Sequence, residues 1–264
     1  MVSNPTSKSP ATTICQFPFP NEQPHSPLEI SSMSTSKPMA STTSLLADDP
    51  QKSILEDGVF YAEDPVIGKR VDDFAKNGFP FKTEEGLDFC KVNALDDKRI
   101  RNVVESYFNE WSCLGLFKVF GRNPSRAYSL LNRMEEETKA QALVVQLWSR
   151  GSRMVYYSGS HLQSLQAQPA DIGLLEIPLD RLRRTEEQPG IKHIEVDMKD
   201  GGLAILDGRL GFTIVQGKAI TIGFAVREEL GHWGKMRLPN VEKLKRKVAE
   251  MNSTTIGVNF DFPE

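Results

Sequence analysis

The sequence predicts an α+β protein: one domain in which helices come first and a run of short strands then closes into a sandwich or jelly roll. Three observations lead there. Helical apolar periodicity is confined to the region before residue 142 and to the C-terminus. Between Ala142 and Val226 the apolar residues fall in short β-rich runs separated by Gly-containing turns. Helices grouped before strands, rather than alternating with them, favour an α+β layout over a parallel sheet.

The first 57 residues form a segment rich in Ser, Thr and Pro, with isolated aliphatics such as Ile14, Leu28 and Ile30. Such a chain cannot bury enough apolar surface to offset its ordering entropy, so residues 1–57 read as a disordered tail and 58–264 as a single domain. Asp64-Pro65 reads as an N-cap with Pro at the first helical position. Val66, Ile67, Val71 and Phe74 follow at helical spacing, and Gly78 closes the helix. A short strand is expected over Leu87–Val92. Asp96 and Asp97 open the strongest helix, with Ile100, Val103, Val104, Tyr107, Phe108 and Trp111 in one stripe. Asn123-Pro124 is read as opening a third helix, with Ala127, Leu130, Leu131 and Met134 inward and Glu135–Glu137 on a solvated face.

Seven strands are then expected: Ala142–Trp148, Arg153–Tyr157, Gly173–Ile177, Ile194–Met198, Leu203–Leu206, Phe212–Val215 and Ala219–Ala225. A final helix follows Pro239-Asn240, with Val241, Leu244, Val248 and Met251 inward and Lys243, Lys245, Arg246 and Lys247 on or beside its outer face.

Composition excludes several functions. The net charge of -3 over 264 residues offers no basic field for nucleic acid. No apolar run reaches the roughly 20 residues of a membrane span, and the N-terminus lacks the pattern of a secretory signal. Cys15, Cys90 and Cys113 are odd in number, widely spread and without a CxxC pair, which points to a reducing, cytoplasmic setting and away from a structural zinc site. No nucleophile elbow and no phosphate-cradling glycine loop is present.

Two stretches, VVQLWSRGSRMVYYSGSHL ending at Leu162 and VDMKDGGLAILDGRLGFTIVQGKAITIGFA ending at Ala225, resemble the phytanoyl-CoA dioxygenase-like family of iron- and 2-oxoglutarate-dependent oxygenases. The resemblance covers about a third of the chain and implies a cupin-like double-stranded β-helix with N-terminal supporting helices. That chemistry needs two histidines and a carboxylate around iron, with a cation for the cosubstrate. The resemblance puts the proximal His-x-Asp or His-x-Glu just before the first matched strand, but no histidine lies between His25 and His161. It puts the distal histidine near Phe212 and the cation on the closing strand, where Leu210 to Val226 holds only Lys218.

The expectation is therefore a pseudoenzyme-like member without metal or cofactor. It would bind or act on a hydrophobic small molecule, as in fungal secondary-metabolite biosynthesis. A non-enzymatic interaction protein with a filled barrel is one alternative; an oxygenase with an unusual ligand set is another. Candidate site residues are His161, Tyr157, Asp207 and Arg209. Asp207-Gly208-Arg209 also reads as a turn held by a salt bridge.

Overall fold

The computed structural model describes residues 49–132, 140–182 and 190–264. Most of the expected tail, and Met134 and Glu135–Glu137 of the expected third helix, lie outside the described residues.

Residues assigned to the tail by their composition include a helix, α1 (Pro50–Asp57). Asp49 caps it by accepting from the Gln51 N–H, Pro50 opens it, and Gly58 closes it at φ 81°. Its single fully buried side chain, Ile54, carries its packing, and the adjacent pair Ile54-Leu55, with Leu55 exposed, makes no stripe that would read as a helix. Strand β1 (Val59–Glu63) follows, then α2 (Pro65–Lys76). The Asp64 side chain accepts from the Val66 and Ile67 N–H groups. The Gly78 N–H donates to Ala75 and the Phe79 N–H to Phe74, so α2 ends in a Schellman motif at the expected glycine.

The strand expected over Leu87–Val92 is instead helix α3 (Glu84–Cys90), which runs into a π-helical turn at Lys91–Leu95. Thr83 caps it, and Leu87, Cys90 and Ala94 bury one stripe at helical spacing. Helix α4 (Lys98–Phe108) begins at the Asp97 cap and buries Ile100, Val103, Val104 and Phe108. Asn109, left-handed at φ 54°, ends it before Trp111.

The third helix is absent from the described residues. The chain there forms β2 (Ser112–Gly121) and β3 (Ala127–Ser129). The strands β4 (Ala142–Trp148) and β5 (Ser152–Ser158) fall where expected. So do β7 (Leu175–Ile177), which the short β6 (Gln168–Pro169) precedes, and β8 (Lys192–Met198). So do β9 (Gly202–Asp207), β10 (Gly211–Gln216) and β11 (Lys218–Val226). A four-residue helix, α5 (Arg227–Leu230), leads to β12 (Met236–Arg237), α6 (Glu242–Met251), β13 (Ile256–Val258) and β14 (Phe260–Asp261). Val241 caps α6 from an exposed position instead of joining its buried stripe.

Twelve of the described strands form two six-stranded sheets, ordered β1-β9-β4-β11-β2-β13 and β6-β7-β3-β10-β5-β8, antiparallel except for β13 on β2, and β12 and β14 pair separately in parallel. Two antiparallel sheets with supporting helices fit a cupin-like fold. Alternation along each strand separates two cores. Leu143, Val145, Leu147, Ile220, Ile222 and Phe224 face the helices and pack with Ile67, Phe74, Val104 and Val248. Val144, Trp148, Met154, Tyr156 and Phe212 face the space between the sheets. Helix α2 sits close against the turn before β9: a Cβ on Gly68 would collide with the Asp200 carbonyl, and one on Gly201 with the Gly68 Cα. Among the described residues no helix is long and apolar enough to cross a membrane.

Candidate functional site

Three of the four sequence candidates come together where β9 ends. The Asp207 carboxylate accepts from the Arg209 backbone N–H (2.9 Å), Nε (2.9 Å) and Nη2 (2.7 Å), and from the Tyr107 hydroxyl (3.1 Å). Asp207 is 1% exposed and Arg209 6%, so the pair is withdrawn from solvent. Both carboxylate oxygens are occupied. The same turn also anchors the backbone: the Asp207 N–H donates to Gly58, and the Gly208 carbonyl accepts from Leu130 and Leu131. Tyr107, which sequence periodicity places only in an apolar stripe, thus carries a polar contact at its tip, and burial and the neighbouring Asp207 raise its pKa.

His161 is buried beside this pair. Its Nε2 lies 3.3 Å from the Leu55 carbonyl of α1, and its Nδ1 has no partner among the described residues. A Cβ on Gly58 would stand 2.6 Å from that ring nitrogen, so the glycine and its positive φ let the ring and the chain meet. Burial lowers the His161 pKa, against the opposing field of Asp207. His193 is exposed, with its Nε2 3.1 Å from the Leu182 carbonyl.

Tyr157 is not part of this group. It packs with Leu165, Ile177 and Leu182 on the outer face of the second sheet. Its hydroxyl meets the Thr213 Oγ1 at 3.1 Å, and its ring stands edge-on to His193.

Of the positions where the family resemblance expects iron chemistry, those on β10 and β11 face the space between the sheets and are apolar or neutral. Phe212 is buried there, opposite Tyr128 in the β10–β3 register. By alternation with Ala219, the inward residues of β11 are Thr221, Gly223 and Ala225. Lys218 turns the other way and lies over the Phe79 ring at 5.4 Å. The stretch upstream of β4 includes residues 133–139, outside the described residues, and holds no histidine. Among the described residues no three His, Cys, Asp or Glu side chains gather as a metal site would require. At the described distal-histidine and cation positions no side chain is a metal ligand.

A second polar group lies between the sheets. Gln146 lies between Val144 and Trp148 on β4, and both neighbours face inward, so it does too. The Tyr156 hydroxyl donates to its Oε1 at 3.1 Å. The Gln146 Nε2 and the Thr221 Oγ1 are fully buried and lack a hydrogen-bond partner among the described residues. The Trp148 indole lies near the Tyr156 hydroxyl. A polar residue inside the apolar runs ALVVQLW and AITIGFA was the available sequence signal.

On β11 the face toward this space carries small residues, Thr221, Gly223 and Ala225. Trp233, from the segment after β11, covers Gly115 and Gly223; a Cβ on Gly115 would stand 2.6 Å from its ring. A separate cavity of about 70 Å³, lined by Lys91, Asp96, Arg101 and Asn252, holds little more than water.

No family model matches the sequence, and no curated protein matches it. Solved structures do. AviO1 from Streptomyces viridochromogenes Tue57 is 15% identical, with a TM-score of 0.42 over 67% of this chain and 94% of that one. HygX from Streptomyces hygroscopicus with iron bound is 14% identical, with a TM-score of 0.45 over 82% and 97%. The epimerase SnoN in complex with Fe3+, alpha ketoglutarate and nogalamycin RO is 12% identical, with a TM-score of 0.46 over 67% and 82%.

Proposed function

We propose that β2, β3, β4, β5, β8, β9, β10 and β11 form a dioxygenase-like double-stranded β-helix that works without iron or 2-oxoglutarate and binds a hydrophobic small molecule between its sheets. The observation that carries this is Phe212. The position expected to hold a metal-ligating histidine faces inward and is filled by a phenyl ring. Thr221, Gly223 and Ala225 supply no cation on the inward face of the closing strand. The Gln146 Nε2 and Thr221 Oγ1 groups, without partners among the described residues, support a binding role, because buried polar groups normally find partners. Asp207 and Arg209 hold the end of β9 and do not act on substrate, since each already occupies the other.

A filled-barrel interaction protein is the second reading. Trp148, Tyr156, Met154 and Phe212 are each at most 2% exposed and occupy much of the same space, which favours it.

Metal analysis of the purified protein by mass spectrometry, with a calorimetric titration of iron(II) and 2-oxoglutarate, tests the metal-free reading. Neither metal nor binding is expected. Stoichiometric iron with micromolar cosubstrate affinity overturns it.

A further inference from the structure

Lys118, Thr221, Gln146 and Ala204 form one rung across the inner face of the first sheet: Lys118 pairs with Thr221, Thr221 with Gln146, and Gln146 with Ala204. Lys118 faces inward by alternation with Phe120, which belongs to the cluster between the sheets. The residue is exposed, and its ammonium reaches the Gly173 turn ahead of β7, where a Cβ would stand 3.3 Å from it. Burial at that point lowers its pKa. It has no ion-pair partner among the described residues, unlike Arg126, which pairs with Glu176 at 2.8 Å. Among the described residues the rung therefore offers an ammonium without an ion-pair partner at the rim, then a buried hydroxyl, then a buried amide N–H pair, the latter two without hydrogen-bond partners.

We propose that this rung binds the carboxylate of an apolar carboxylic acid, which deepens the small-molecule reading above and rests on it. In this reading one carboxylate oxygen takes the Lys118 ammonium at the rim, and the other takes the hydroxyl of Thr221, its register partner on β11. The Gln146 amide donates from the next strand. A buried anion needs both its charge and its lone pairs answered, and this rung supplies one cation and two donors. The hydrocarbon body lies against Phe120, Tyr128 and Leu174 of the cluster between the sheets.

The test is a nuclear magnetic resonance titration of the full ¹⁵N-labelled chain with acetate, benzoate and octanoate, each against its primary amide, and with inorganic phosphate. The signals followed are the Gln146 side-chain amide, assigned by its loss in Gln146→Leu, and the Trp148 indole. At least one carboxylate is expected to shift both, with its amide binding at least about tenfold more weakly. Lys118→Met removes that preference, Lys118→Arg retains it, and Thr221→Val weakens carboxylate binding roughly tenfold. Lys118→Met leaves the melting temperature unchanged, because the residue is exposed. Carboxylates that leave the signals unmoved, amides that bind equally well, or phosphate that binds as well as the carboxylates each overturn the proposal. The metal and 2-oxoglutarate titration separates the two readings: iron-dependent binding defeats the metal-free one, whereas failed carboxylates on an iron-free protein defeat only this one.

Discussion

At Asp207 a buried charge pair and a turn are the same object. Removing either partner strands the other in a site closed to water. Arg209→Met and Asp207→Asn are each expected to cost about 3–5 kcal/mol in urea unfolding. Tyr107→Phe loses one hydrogen bond to a charged acceptor and costs about 1.5–3 kcal/mol. His161 adds a pH dependence. Its folded pKa lies below the unfolded value of 6.5, so the unfolded chain binds the proton more readily. The resulting stability is complete above about pH 6.5 and is lost as pH falls below it toward the folded pKa. His161→Gln should flatten that limb of the stability–pH curve; an unchanged limb would assign it to other groups. Asp207, Arg209 and His161 were legible as candidates because polar residues at strand ends stand out. Tyr107 was not, because a tyrosine in a helical stripe looks like core until its hydroxyl is placed.

At the scale of elements, the best-marked boundaries are those whose capping chemistry is local. Asp64-Pro65 and Gly78 delimit α2 in sequence and structure alike. Asp64→Ala is expected to cost about 1 kcal/mol from the lost cap, with loss of the Arg99 ion pair at 2.9 Å adding little at the surface. Gly68→Ala forces α2 away from the Asp200 carbonyl and should lower the melting temperature more than an alanine at the open Gly234, which meets nothing within 4 Å. Where tertiary pairing decides, local reading misleads. Leu87 to Val92 is apolar enough for a strand, yet the Thr83 cap and the 87–90–94 spacing make it helical. Gly115 and Gly121 suggest a loop, but β2 pairs with β11 along its length, with a bulge at Gly115. The three-residue β3 follows Asn123-Pro124, a sound helix opening, and is held extended only by β10 and β7 on either side.

At the scale of the molecule, the fold class was readable because seven strands announce themselves by alternation and glycine turns, whereas the join between the N-terminus and the sheets was not. Helix α1 has no amphipathic stripe, yet Ile54 is fully buried in the helix-side core. The Asp57 carboxylate accepts from the Ser158 hydroxyl at 2.8 Å, and the Gly58 carbonyl accepts from the Asp207 N–H at 2.9 Å. Helix α1 thus covers His161 and closes the end of the sandwich where the buried ion pair sits. A chain beginning at Asp49 is the reference in urea unfolding. A chain beginning at Gly58 loses Ile54 burial, about 1.5–3 kcal/mol, and the contacts to Ser158 and His161 as well, so its deficit should reach about 3 kcal/mol or more. Without α1 the His161 ring meets water and its pKa returns toward 6.5, so the acid limb of stability should vanish in the same variant. A shorter chain that is less stable but keeps that limb would show that His161 is desolvated by the sheets alone, and that α1 adds packing without sealing the ring.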